Sequence, residues 1–137
     1  MSKQLNEWFE NKIRRPKGSL NSPVSVEGKM QRIYGPRADF AYVTLYLEPA
    51  DEFSYIDEAE WPADQERCSP AVMEGVLDGL ISSFQEYWYI NVKVTLKEIK
   101  YHPVDSSPRS FYKASRNAIE KLAFEHKNEK SIFKSHI

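Results

Sequence analysis

The sequence predicts an α+β fold: a two-layer sandwich whose mixed β-sheet of about four strands carries two helices on one face. Three observations lead there. Apolar residues alternate with period two over residues 40–47 and 89–100. They recur at helical spacing from Val72 to Phe84 and from Phe111 to Leu122. The two patterns interleave in the order β-β-(β)-α-β-α, which suits a sheet covered on one side.

Taken in order, Leu5, Trp8, Phe9 and Ile13 share one face of a short amphipathic helix that Pro16 and Gly18 end. Its basic end, Lys12, Arg14, Arg15 and Lys17, reads either as a solvated helix end or as a nucleic-acid arm. Gly18 to Pro23 reads as a linker, and a first strand covers Val24 to Tyr34. Gly35-Pro36-Arg37-Ala38-Asp39 makes a turn. The strand after it, Phe40 to Leu47, sets Ala41, Val43, Leu45 and Leu47 against Phe40, Tyr42, Thr44 and Tyr46. One of those faces is core, and both are apolar enough for a second layer to cover part of the other. Glu48 to Arg67 is acidic, with Pro49, Pro62 and a short strand at Phe53–Ile56. Ser69-Pro70 opens a helix striped by Val72, Val76, Leu80, Ile81 and Phe84. Tyr89 to Lys100 is a strand with Ile90, Val92, Val94 and Leu96 on one face.

The next stretch, Tyr101-His102-Pro103-Val104-Asp105-Ser106-Ser107-Pro108, joins that strand to the last helix. Ser107 is its N-cap and Pro108 its first residue, where a missing N–H costs nothing. Pro103 fixes its own φ and drives His102 toward an extended conformation, so the imidazole sits on a stiff corner. Such corners present contact residues well. Read alone, His102 is either a contact residue or a strand-end histidine bonded to nearby backbone.

Composition limits the chemistry. The 137 residues suit one domain with a real core, and 41% hydrophobic content argues against disorder. No apolar run reaches membrane-spanning length, no signal peptide is visible, and Cys68 stands alone, so the expected address is cytoplasmic. The net charge of −1 conceals segments of +5 over residues 1–37, −9 over 38–66 and +3 over 67–137. Any nucleic-acid contact is therefore local and salt-sensitive. No phosphate-cradling Gly-x-x-x-x-Gly-Lys-Ser/Thr loop exists, so no nucleotide triphosphate is expected to bind. His126 and His136 are not at metal-ligand spacing from His102, and residues 48–66 contain no glycine for a calcium loop. The expectation is no metal and no cofactor. The acidic loop reads either as solvated or as a docking surface for a basic partner. Phe84, Tyr87, Trp88 and Tyr89 read as core closure or as a base-stacking cluster.

Three motifs fall in a known order. Tyr101 to Ser107 resembles the loop Tyr-His-Asp-Val-Asp-Ser-Ser of domain IV of translation elongation factor G. Val26-Glu27-Gly28-Lys29, followed by Gly35-Pro36-Arg37, resembles that domain's opening Val-Glu-Gly-Lys and Gly-Gly-Arg. Pro70-Ala71-Val72 with Gly75 resembles its Pro-Ala-Val-x-x-Gly helix start. The likeness covers a domain over residues 24–126; periodicity and composition add a helix and linker before it (1–23) and a polar tail after it (127–137). It also implies a left-handed βαβ crossover, against the usual rule. In that family the GTPase is a separate domain, absent here, and two tip loops contact transfer and messenger RNA on the ribosome. The positions matching the tips are Arg37 and Asp39 in the first loop, His102 and Pro103 in the second. The resemblance thus implies ribosome or structured-RNA binding with no catalysis. Arg37 would meet phosphate, and His102 would donate a hydrogen bond or stack.

This chain departs from the family in that first loop. Three glycines are replaced, and Asp39 stands where glutamine would be, which brings negative charge to the tip. In the second loop Pro103 replaces an aspartate. Two alternatives follow: a protein-binding or self-associating module working through the acidic 48–66 loop or the N-terminal helix, and an enzyme using His102 as a general base. The oligomeric state is open at this level.

Overall fold

The computed structural model describes residues 17–34, 37–84, 89–129 and 133–136. The expected amphipathic helix at 4–13, Gly35-Pro36 of the first turn, and Tyr87 and Trp88 lie outside the described residues. The strands are β1 (Lys17–Leu20), β2 (Val24–Tyr34), β3 (Arg37–Pro49), β4 (Ser54–Asp57), β5 (Val92–Lys100) and β6 (Phe133–His136). The helices are α1 (Ser69–Ser82), entered through a single 3₁₀ turn at Glu66–Cys68, and α2 (Pro108–Glu129).

β2 and β3 form a long antiparallel hairpin, Val24 opposite Leu47 and Tyr34 opposite Arg37. β5 pairs antiparallel with the other side of β3, and β4 pairs parallel with β5 at the edge. The order β2-β3-β5-β4 makes a mixed four-stranded sheet, with α1 inside the parallel β4–β5 connection. The expected α+β sandwich is the observed one.

Alternation explains which face is covered. Val26 and Met30 of β2, Ala41, Val43, Leu45 and Leu47 of β3, and Val92, Val94 and Leu96 of β5 are buried. They share one core with Val72, Val76 and Leu80 of α1 and Phe111, Ala114, Ala118 and Leu122 of α2. Ile81, counted in the helical stripe, is 36% exposed, because one residue past Leu80 turns it off the core-facing side. On the opposite face Phe40, Tyr42, Thr44 and Tyr46 are half-buried. There the Lys100 and Lys97 ammonium groups lie 4.7 and 5.7 Å from the Tyr42 and Tyr46 ring centres.

Two glycines of the motifs have packing roles. A Cβ on Gly28 would overlap the Ala114 carbonyl oxygen, so only glycine lets α2 settle onto β2. A Cβ on Gly75 would meet Ser115 and the Tyr112 carbonyl, which sets the approach of the two helices. α2 also reaches the outer edge of β2. The Lys29 N–H donates to Asn117 Oδ1 at 3.2 Å, and Lys121 Nζ donates to the Glu27 carbonyl at 3.0 Å.

Two segments differ from expectation. The stretch read as linker begins with β1, which pairs antiparallel with β6 inside the stretch read as a polar tail. Leu20 is fully buried and joins the core, a tertiary capture that its Gly-Ser-Leu-Asn-Ser-Pro setting hides. α2 also continues past residue 126, to Glu129.

Candidate nucleic-acid interface

The corner after β5 is a built structure. His102 C=O accepts from Ser106 N–H at 3.0 Å, closing a turn around Pro103 to Asp105. Ser106 Oγ, buried within it, accepts from His102 N–H at 2.8 Å and donates to the Phe40 carbonyl at 2.7 Å. Phe40 N–H in turn donates to the Asp105 carbonyl at 3.1 Å. The corner therefore continues the β5 side of β3 beyond the last paired residues, Tyr42 and Lys100. Ser107 caps α2 as expected, its Oγ taking the Ser110 N–H at 3.2 Å. Of the two adjacent serines, Ser107 alone caps; Ser106 staples the corner to β3.

This frame orients the imidazole. His102 Nδ1 accepts from the N–H groups of Val104 and Asp105, each at 3.2 Å. Asp105 Oδ2 stands 3.4 Å from the same nitrogen, farther than either amide, so in the neutral ring the two amides hold that lone pair. The ring proton then belongs on Nε2. The side chain is 52% exposed.

An open groove of about 370 Å³ lies between the corner and the hairpin end of β2–β3. Tyr101, His102 and Asp105 line one side, and Arg32, Asp39 and Phe40 are among those lining the other. The structure thus brings His102 and Asp39 to one surface. Pro103 is exposed on the corner, and Arg37 opens β3 opposite Tyr34 at the hairpin end. Ile33 and Val104 flank the region at 79% and 83% exposure. Sequence reasoning quoted Tyr101 and Ser106 within the corner motif but named neither as a site residue, nor Arg32 or Phe40. Only Ser106 left a signal: two serines precede one helix, and one is surplus to capping.

Cys68, Asp57 and Glu58 among the other sequence candidates have structural partners. Cys68 is buried, its thiol donates to Gln65 Oε1 at 3.5 Å, and burial pushes its pKa up, which suppresses the nucleophilic thiolate. In the acidic loop Asp57 accepts from Ala59 N–H at 2.9 Å, from Trp61 Nε1 at 2.6 Å and from Ser69 Oγ. Glu58 pairs with Lys97 at 2.9 Å, and Trp61 packs edge-on against Phe111 at 4.9 Å. Among the described residues no cluster of His, Cys, Asp and Glu is arranged to hold a metal, and no helix is long and apolar enough to cross a membrane.

A helix-backed mixed sheet that ends in a hairpin and a stapled strand-to-helix corner is the architecture of a translation-factor-type domain. Comparison makes this definite. The family described as elongation factor G, domain IV, matches residues 15–125, and the chain belongs to that family. Among solved structures, a protein from Thermus thermophilus superposes with a TM-score of 0.72 at 22% identity, a likeness of fold. The match covers 78% of this chain and 16% of that one, so the chain spans about a sixth of its length.

Proposed function

We propose that this domain binds structured RNA of the ribosome–transfer RNA system through the groove between His102 and the hairpin end, and that it acts by contact rather than catalysis. The observation that carries the reading is the fixed imidazole. Two backbone amides occupy Nδ1, so an exposed ring presents Nε2–H as a donor on the groove whose other side carries Asp39. A donor and an acceptor lining one groove suit ribose hydroxyls and base edges, the groups by which RNA is recognised outside regular helices. Asp39 and Asp105 disfavour a phosphate in this groove, so phosphate contacts fall to nearby cations, Arg37 at the hairpin end among them. Family membership supports the partner class.

The test is co-sedimentation with ribosomes over a salt series. His102→Ala is expected to weaken binding about tenfold, the worth of one well-made hydrogen bond of about 1.4 kcal/mol. Binding that persists undiminished in His102→Ala and in Arg37→Ala would refute the reading.

A second reading has one observation of its own. The acidic loop is braced by Asp57, Glu58 and Trp61, so exposed Asp51, Glu52, Glu60 and Asp64 sit on a defined surface suited to a basic protein. Ribosome-independent binding abolished by reversing those four charges would select it.

A further inference from the structure

We infer a second contact surface on this domain, a cationic groove along the outer edge of β2 that carries the phosphate backbone of the RNA whose bases or riboses meet the tip. The inference rests on the RNA-binding reading above and extends it to another face of the molecule.

The groove, of about 400 Å³, lies between β2 and α2. Its charged lining is Lys29, Arg32, Lys113 and Arg116 against one carboxylate, Glu120. That carboxylate is already engaged by Arg116 Nε at 3.2 Å. The Tyr112 hydroxyl, accepting from Arg116 Nη1 at 3.1 Å, helps keep the guanidinium charged and raises its pKa. Lys113 pairs with no carboxylate of the described residues.

Spacing explains why the cations gather there. α2 steps along the β2 edge one turn at a time: Lys121 meets Glu27, and Asn117 meets Lys29. One helical turn rises about 5.4 Å and two strand residues about 6.8 Å, so the elements stay nearly in step. The next turn brings Lys113 abreast of the strand just short of Arg32. Four basic residues lining one groove against a single carboxylate suit a polyanionic backbone better than a single anion. Arg32 also lines the His102 groove, which makes the two surfaces continuous.

The experiment is fluorescence anisotropy of a labelled RNA hairpin with a single-stranded loop, titrated with the full chain across a sodium chloride series. Arg32→Gln/Lys113→Gln is expected to bind about tenfold more weakly at low salt, with the slope of log K against log salt reduced by about one to two, independent of loop sequence. Charge-conserving Arg32→Lys/Lys113→Arg keeps the wild-type slope, and so does Lys93→Gln on the far face of the sheet. His102→Ala loses affinity at unchanged slope. A wild-type slope in the double glutamine variant, with His102→Ala still weakened, overturns the groove and leaves the tip reading standing. No binding of the hairpin by wild-type protein overturns both. If the double variant keeps RNA binding but loses binding to a polyglutamate probe, the groove belongs to an acidic polypeptide and the inference fails.

Discussion

Two loops of this domain each wrap their backbone around one titratable side chain, and they do it to opposite ends. In the acidic segment, Asp57 Oδ1 takes the Ala59 N–H while Oδ2 takes Trp61 Nε1 and Ser69 Oγ. Both oxygens are consumed in holding the loop against the foot of α1. At the corner, the Val104 and Asp105 amides take only Nδ1 of His102. The ring has a second nitrogen that the loop does not use. A carboxylate with both oxygens bound inward is a brace; an imidazole bound on one side is a brace that still offers a hydrogen bond outward.

That contrast can be broken in three ways. The largest effect belongs to Asp57→Ala, which removes three hydrogen bonds to one carboxylate. It is expected to cost about 3 kcal/mol, read as a lower urea midpoint, while RNA affinity at the tip stays unchanged. Ser106→Ala comes next, since it strips the His102 N–H and the Phe40 carbonyl of their buried partner. It is expected to cost about 2 kcal/mol and, unlike Asp57→Ala, to weaken RNA binding as the corner loosens. The smallest stability change, under about 1 kcal/mol, belongs to His102→Ala, because the ring is half exposed and its loop keeps the Ser106 staple. If His102→Ala destabilises as much as Asp57→Ala, the two loops are the same kind of brace and the contrast fails.

Much of this fold was legible because its elements obey one period each. β2 was found at its observed bounds, and the stripes Val72-Val76-Leu80 and Phe111-Ala114-Ala118-Leu122 point to the core as read. β3 begins at Arg37 rather than Phe40 because the extra residues are held by cross-strand pairing, which local pattern does not report. In β5 the register shifts opposite Thr44 and Leu45, absorbing Lys97 and returning Ile99 to the Val43 side. The three-residue step from Leu96 to Ile99 was the visible trace of that bulge. Pairing of β1 with β6 left none, since the partners stand more than a hundred residues apart.

At the site, the corner and its histidine could be read from Pro103, Ser107 and Pro108, because proline and caps act locally. The Ser106–Phe40 bond could not, for it joins residues distant in sequence. Nor could Arg32, whose meaning comes from a helix laid alongside its strand eighty residues later.

The bonds that Asn117 and Lys121 make to the outer rim of β2 have a consequence beyond this single molecule. An eleven-residue strand with a bare rim is a template on which a neighbouring copy can add its own strand, and so on without limit. An amide and an ammonium lodged in that rim interrupt the template at Glu27 and Lys29. Their loss would leave each domain folded but would be felt in crowded solution, as molecules adhering edge to edge.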